Sequence, residues 1–138
     1  MATRSTIAIM DHGGTIRAVY CHWDGYFSNN GALLLNYYAD EDSVMDLIEH
    51  GNISSLHEEI GEQHPFDSRA KEHETWTTFY GRDRGEEGQE AREYKTLAEF
   101  EEAETQEYMY LFRNGKWQAK QGGQVRFRDL TPARCKIG

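Results

Sequence analysis

The sequence predicts an α+β fold: an N-terminal β-hairpin, short helices in the middle and a C-terminal antiparallel β-meander, joined as a single antiparallel sheet packed on helices. Three observations support this. Ile7 and Ile9 precede Asp11-His12-Gly13-Gly14, and Val19 and Cys21 follow it, so apolar residues alternate on both sides of a glycine turn. Residues 32–50 change to helical spacing. Asn114-Gly115, the preferred two-residue hairpin turn, separates two runs rich in aromatic residues.

Taken in order, residues 3–10 and 15–23 form the first hairpin. Val19, Cys21 and Trp23 are expected on one face, with Tyr20 and His22 on the other. Asp24-Gly25 ends the strand, and Ser28-Asn29-Asn30-Gly31 reads as a loop into a helix over 32–39, with Leu33, Leu34, Tyr37 and Tyr38 at helical spacing. Asp40, Asp42 and Ser43 are candidate caps for a helix over 43–50, whose apolar face is Val44, Leu47 and Ile48 and whose stop is Gly51. Ser55-Leu56-His57-Glu58 fits a capping box and predicts a third short helix ending near Gly61. Residues 62–75 are polar and contain Pro65, so a loop is expected. Thr75-Trp76-Thr77-Thr78-Phe79-Tyr80 has strand composition. Residues 81–90 are charged and punctuated by glycine, which predicts a mobile loop. Thr96-Leu97-Ala98-Glu99 opens an acidic helix to about Glu104. In the final meander Tyr108, Tyr110 and Phe112 share one face and Met109 and Leu111 the other. Gly122-Gly123 then turns into a strand over 124–128 with Val125 and Phe127 on one face.

A chain of 138 residues is the size of one domain, here 1–138. Aromatic residues make up 12% of it, enough to build a core and to exclude disorder throughout. Cys21 and Cys135 are the only cysteines, too few for a disulfide framework, and no apolar run reaches the length of a membrane span. A reducing, cytoplasmic setting is expected. The net charge of −9 is unevenly spread: residues 1–112 carry 23 acidic and 8 basic side chains, whereas 113–138 carry 1 and 7. Either the basic end packs against the acidic middle of the same molecule, or the two form faces of opposite sign that favour head-to-tail association or a charged partner.

Catalytic chemistry is weakly represented. Cys21 and His22 are adjacent on a strand, so their side chains point to opposite faces and do not form a dyad with each other. The six histidines show no HExxH pair or paired Cys/His set, so no metal or other cofactor is expected. The glycines of 81–88 lie among acidic residues that would repel a phosphate. Arg113, Lys116, Lys120, Arg126 and Arg128 interleave with Phe112, Trp117 and Phe127 as a nucleic-acid platform would, but the overall acidity disfavours that partner. The acidic stretch 83–107 raises nucleic-acid mimicry, although Arg84, Arg92 and Lys95 interrupt it and a solvated face is the simpler reading.

Thr3-Arg4-Ser5-Thr6-Ile7-Ala8, followed by Tyr20-Cys21-His22-Trp23-Asp24-Gly25-Tyr26, resembles a family of small proteins encoded by tailed bacteriophages and related prophages. The resemblance covers about residues 3–40, including the Leu33-Leu34 helix, and is looser beyond. Relatives often carry proline after the Asp-Gly-Tyr turn, where this chain has Phe27. The resemblance implies a viral origin and action in the cytoplasm of an infected bacterium, and it brings no catalytic residue. The expected function is a non-enzymatic accessory protein that binds a host protein, to blunt host defence or redirect host metabolism. The alternatives are a binder of a small nucleotide-like ligand and an enzyme using Cys21 or His22. A ligand site is expected at Tyr20, His22, Trp23, Asp24 and Tyr26, where aromatic rings would stack a base and polar groups would donate hydrogen bonds. Exposed aromatics and opposite charges permit a homo-oligomer without demanding one.

Overall fold

Glycine turns and apolar alternation build both expected hairpins. β1 (Ser5–Met10) pairs antiparallel with β2 (Ile16–Cys21), and β6 (Tyr108–Arg113) pairs antiparallel with β7 (Lys116–Gln121). Asn114 and Gly115 have φ of 54° and 77°, the left-handed pair that a tight two-residue hairpin requires. These coordinates come from a computed structural model that describes residues 2–136.

The remaining elements are α1 (Ala32–Tyr37), α2 (Glu41–Glu49), β3 (Ile53–Ser55), β4 (Thr78–Phe79), α3 (Tyr80–Arg84), β5 (Arg92–Tyr94), α4 (Leu97–Ala103) and β8 (Arg128–Asp129). Two helix starts are capped as their sequences predict: the Asp40 side chain accepts from Ser43 N–H, and the Thr96 side chain accepts from Glu99 N–H.

The eight strands among the described residues join one sheet in the order β4-β3-β2-β1-β6-β7-β8, with β5 beside β2. The sheet is mixed rather than purely antiparallel, because β1 pairs parallel with β6 and β2 parallel with β3. The C-terminal hairpin therefore docks beside β1, and β1 becomes a central strand. Such a pairing joins residues about a hundred positions apart, which turn chemistry does not specify.

The strand alternation sorts two cores. Ile7, Ile9, Val19, Cys21, Tyr110 and Phe112 face α1 and α2, which contribute Leu34, Tyr38, Val44, Leu47 and Ile48. Ala8, Ile16, Ala18, Met109 and Leu111 face the other way and meet Phe100 of α4. With both faces covered, β1 is buried along nearly its whole length.

Four local expectations change. The third helix does not form: Ser55 ends β3, Leu56 is buried, and His57 N–H donates to Thr77 Oγ1 at 3.0 Å, so long-range pairing overrides the capping-box pattern. The strand expected over 75–80 is only β4, and the loop expected next opens with α3, which Gly85 ends in the left-handed region at φ 72°. β5 is an additional short strand. Of the strand expected over 124–128 only Arg128 is in β8; Phe127 packs on Phe100, while Val125 is 81% exposed.

Side chains stop both outer edges of the sheet. Beyond β4, Asp83 Oδ2 accepts Phe79 N–H at 2.8 Å, and Arg82 donates to Thr77 O at 2.9 Å. Beyond β8, Arg134 Nη1 donates to the Arg128 and Asp129 carbonyls at 2.9 and 2.8 Å. Backbone groups that could recruit another strand are thereby occupied.

Candidate functional site

The segment after β2 is a turn braced from below. His22 N–H and Trp23 N–H still pair with the Ile53 and Ser54 carbonyls, both at 3.0 Å. Asp24 then adopts φ 55°, and Gly25 passes so close to β1 that a Cβ would lie 2.7 Å from Ser5 Cβ and 2.9 Å from Thr3 O. Only glycine fits there. Residues 27–31 form one π-helical turn, Phe27–Gly31, where a plain loop was expected, and it runs directly into α1.

Asn30 is the hub beneath this turn. Fully buried, it donates from Nδ2 to Ser5 Oγ at 3.1 Å and to Cys21 Sγ at 3.3 Å. Asn29 Nδ2 donates to Asp24 O at 3.1 Å and to Asn30 Oδ1 at 3.0 Å. From β6, the Tyr110 hydroxyl donates to Gly25 O at 2.6 Å. Burial, with nearby thiols adding to it, pushes that hydroxyl far above the usual tyrosine range, so it remains a donor at any ordinary pH.

The five predicted site residues divide. Tyr20 and His22 share a face as expected, with Tyr20 Oη and His22 Nδ1 2.6 Å apart in a hydrogen bond. Burial raises the Tyr20 pKa against the opposing charge of Arg4. Burial and the same Arg4 charge lower that of His22, so the pair is neutral near pH 7. Trp23 does not join Cys21 in the core. It is 43% exposed and meets His22 edge to face at 4.6 Å, because β2 ends at Cys21 and the backbone turns before alternation can place the indole inward. Asp24 is exposed, and Tyr26 is 38% exposed. Trp23 and Tyr26 therefore stand on either side of the Asp24-Gly25 bend, facing solvent.

Cys21 has no exposed surface, and burial pushes its thiol up to about 11, against the weaker opposing effect of its hydrogen bond with Asn30. A thiol held protonated in the core is a poor nucleophile. Among the described residues, no three His, Cys, Asp or Glu side chains gather to hold a metal.

Two buried polar clusters were not anticipated. Glu104 accepts from Arg92 Nε and Nη2 at 2.6 and 3.0 Å, from Tyr94, and from Thr6 Oγ1 at 3.3 Å. Arg92 and Tyr94 stand two apart on β5, so alternation puts them on one face, a signal visible once β5 is recognised. Asp83, its carboxylate inaccessible, lies 2.9 Å from Arg82 Nε and 3.7 Å from His64 Nδ1, and His64 Nε2 lies 3.2 Å from Thr78 Oγ1. This His-Asp-Thr grouping superficially resembles catalytic machinery. It is sealed, however: His64 is 7% exposed, its Nδ1 is already 2.7 Å from Glu62 O, and Asp83 also holds the end of β4. Its geometry serves to fasten the 62–75 loop.

Four surface cavities are lined by residues other than Tyr20, His22, Trp23, Asp24 and Tyr26. The largest, about 360 Å³, lies between the two hairpin turns and the start of α2, beside Asp11, His12, Glu41 and Arg113. No protein-family model matches the chain, and neither characterised proteins nor solved structures give a significant match.

Proposed function

We propose that this chain is a non-enzymatic binding protein whose recognition element is the braced turn bearing Trp23 and Tyr26, and that its partner is a protein of the infected host cell. The observation that supports this most is the exposure of Trp23 on a bend whose backbone carbonyls accept from Asn29 Nδ2 and the Tyr110 hydroxyl. A rigid aromatic anchor loses little entropy on binding, and tryptophan and tyrosine are the commonest interface hot spots. The exposed part of Trp23 offers on the order of 100 Å² of apolar surface, about 2–3 kcal/mol if a partner buries it. The inaccessible Cys21 thiol argues against a nucleophilic enzyme. A small ligand calls for a concave site, whereas Trp23 and Tyr26 stand exposed on either side of a bend, which favours a protein surface as partner.

The test compares wild-type bait with the Trp23→Ala/Tyr26→Ala variant in capture from infected cells. Wild type should retain one stoichiometric host protein, and the variant should lose it by roughly thirtyfold or more at unchanged melting temperature. Equal capture by both baits, or no capture above background at several salt concentrations, would refute the proposal.

A further inference from the structure

The uneven charge of the sequence is laid out in space by the strand order. Residues 53–94 supply β3, β4, β5 and the loops between them, all on one side of β2, and carry eleven acidic and five basic side chains. Residues 113–136 supply β7, β8 and the closing turns on the far side of β1, and carry seven basic and one acidic side chain. At about 4.8 Å per strand, the two outer edges lie roughly 30 Å apart. Each side thus has a net formal charge of magnitude six, and the signs are opposite.

Internal pairing leaves most of this charge uncompensated. Lys120 reaches Glu101 of α4 at 3.3 Å, and Lys116 pairs at 3.0 Å with Asp129 inside the basic region itself. Arg126 and Arg128 are exposed and make no ion pair among the described residues, and the same holds for Glu87 and Glu90 at the acidic side. Val125, the most exposed large apolar residue described, projects beside Arg126. With the sheet edges stopped by Asp83 and Arg134, strand addition is disfavoured and side-chain docking remains open.

We infer that the basic β8 edge docks onto the acidic β3–β5 side of a second copy of this chain. A second copy is favoured over a nucleic acid because a copy presents acidic groups to the basic edge and basic groups to the acidic side, whereas a polyanion would meet repulsion from the acidic side. The two edges lie on opposite sides of the sheet, so a head-to-tail arrangement leaves one unpaired edge of each kind at its ends and lengthens with concentration. It uses neither Trp23 nor Tyr26 and is independent of the host-protein proposal.

Sedimentation velocity over a concentration series tests this as salt rises from about 0.01 M to about 1 M, where the screening length falls from about 30 Å to about 3 Å. Wild type should associate at low salt and return to 16.0 kDa monomers at high salt. Arg126→Glu/Arg128→Glu alone and Glu87→Lys/Glu90→Lys alone should each remain monomeric, and an equimolar mixture should associate again. All four side chains are exposed, so the fold tolerates these changes. Monomeric wild type throughout, association indifferent to salt or to charge reversal, or a mixture that fails to associate would each overturn the inference.

Discussion

Replacing Tyr110 with phenylalanine removes a single oxygen from the core, one that lies beside Gly31 and reaches the turn. It donates at 2.6 Å to the Gly25 carbonyl, at the bend between Trp23 and Tyr26. Tyr110 is fully buried and Gly25 is also buried, so water cannot replace the lost donor without opening the turn. Losing the bond costs about 1 kcal/mol, and leaving a buried carbonyl unpartnered brings the total to about 1–3 kcal/mol. For a domain of this size each kilocalorie lowers Tm by roughly 3–5 °C, so a fall of about 3–15 °C is expected. Tyr108→Phe is the control: its hydroxyl only accepts from Gln121 Nε2 at 3.1 Å near solvent, and its removal should shift Tm by about 2 °C or less. Hydrogen exchange supplies the local readout. The Gly25 and Asn30 amides, bonded to Thr3 O and Asp24 O, should exchange faster in Tyr110→Phe than in Tyr108→Phe. Equal melting temperatures for the two variants, with unchanged exchange at Gly25, would refute the idea that β6 braces the turn.

Two further predictions concern buried ionisable groups. Burial acts to raise the Glu104 pKa, but hydrogen bonds from Arg92 and Tyr94 and the Arg92 charge outweigh it and hold the carboxyl below its ordinary 4.5. A carboxyl whose folded pKa lies below its unfolded value contributes stability that is complete above the unfolded value and is lost as pH falls through the folded one. Glu104→Gln should therefore cost about 2–4 kcal/mol at pH 7 by urea unfolding, and the gap from wild type should narrow steadily below about pH 4. A gap independent of pH would show that the cluster acts through shape rather than charge. For Cys21, the inaccessible thiol with a pKa pushed up to about 11 should resist a thiol-reactive disulfide in the native protein at pH 8 and react fully in denaturant. Rapid native labelling would place Cys21 at the surface and reopen the nucleophile reading.

Local chemistry made much of this fold legible. Glycine at positive φ, Asp40 and Thr96 at helix starts, and apolar residues two apart act over a few positions, and the hairpins, α2, α4 and the two faces of β6 follow from them. Tyr20 and His22 sharing a face is the same rule applied once more. Trp23 broke the rule because alternation holds only while a strand continues, and this one ends at Cys21.

The sequence by itself determined which segments alternate, where the tight turns fall and how charge is divided along the chain. Only the tertiary structure decided that β6 lies parallel to β1, that Ser55 pairs as a strand instead of capping a helix, and that Tyr110 reaches across 85 positions to Gly25. Each of these depends on contacts between distant segments, whose free energy exists only after the chain has closed the loops between them. Trp23 began as a core residue by pattern and became an exposed side chain by topology, and the separation of charge along the sequence became a separation in space for the same reason.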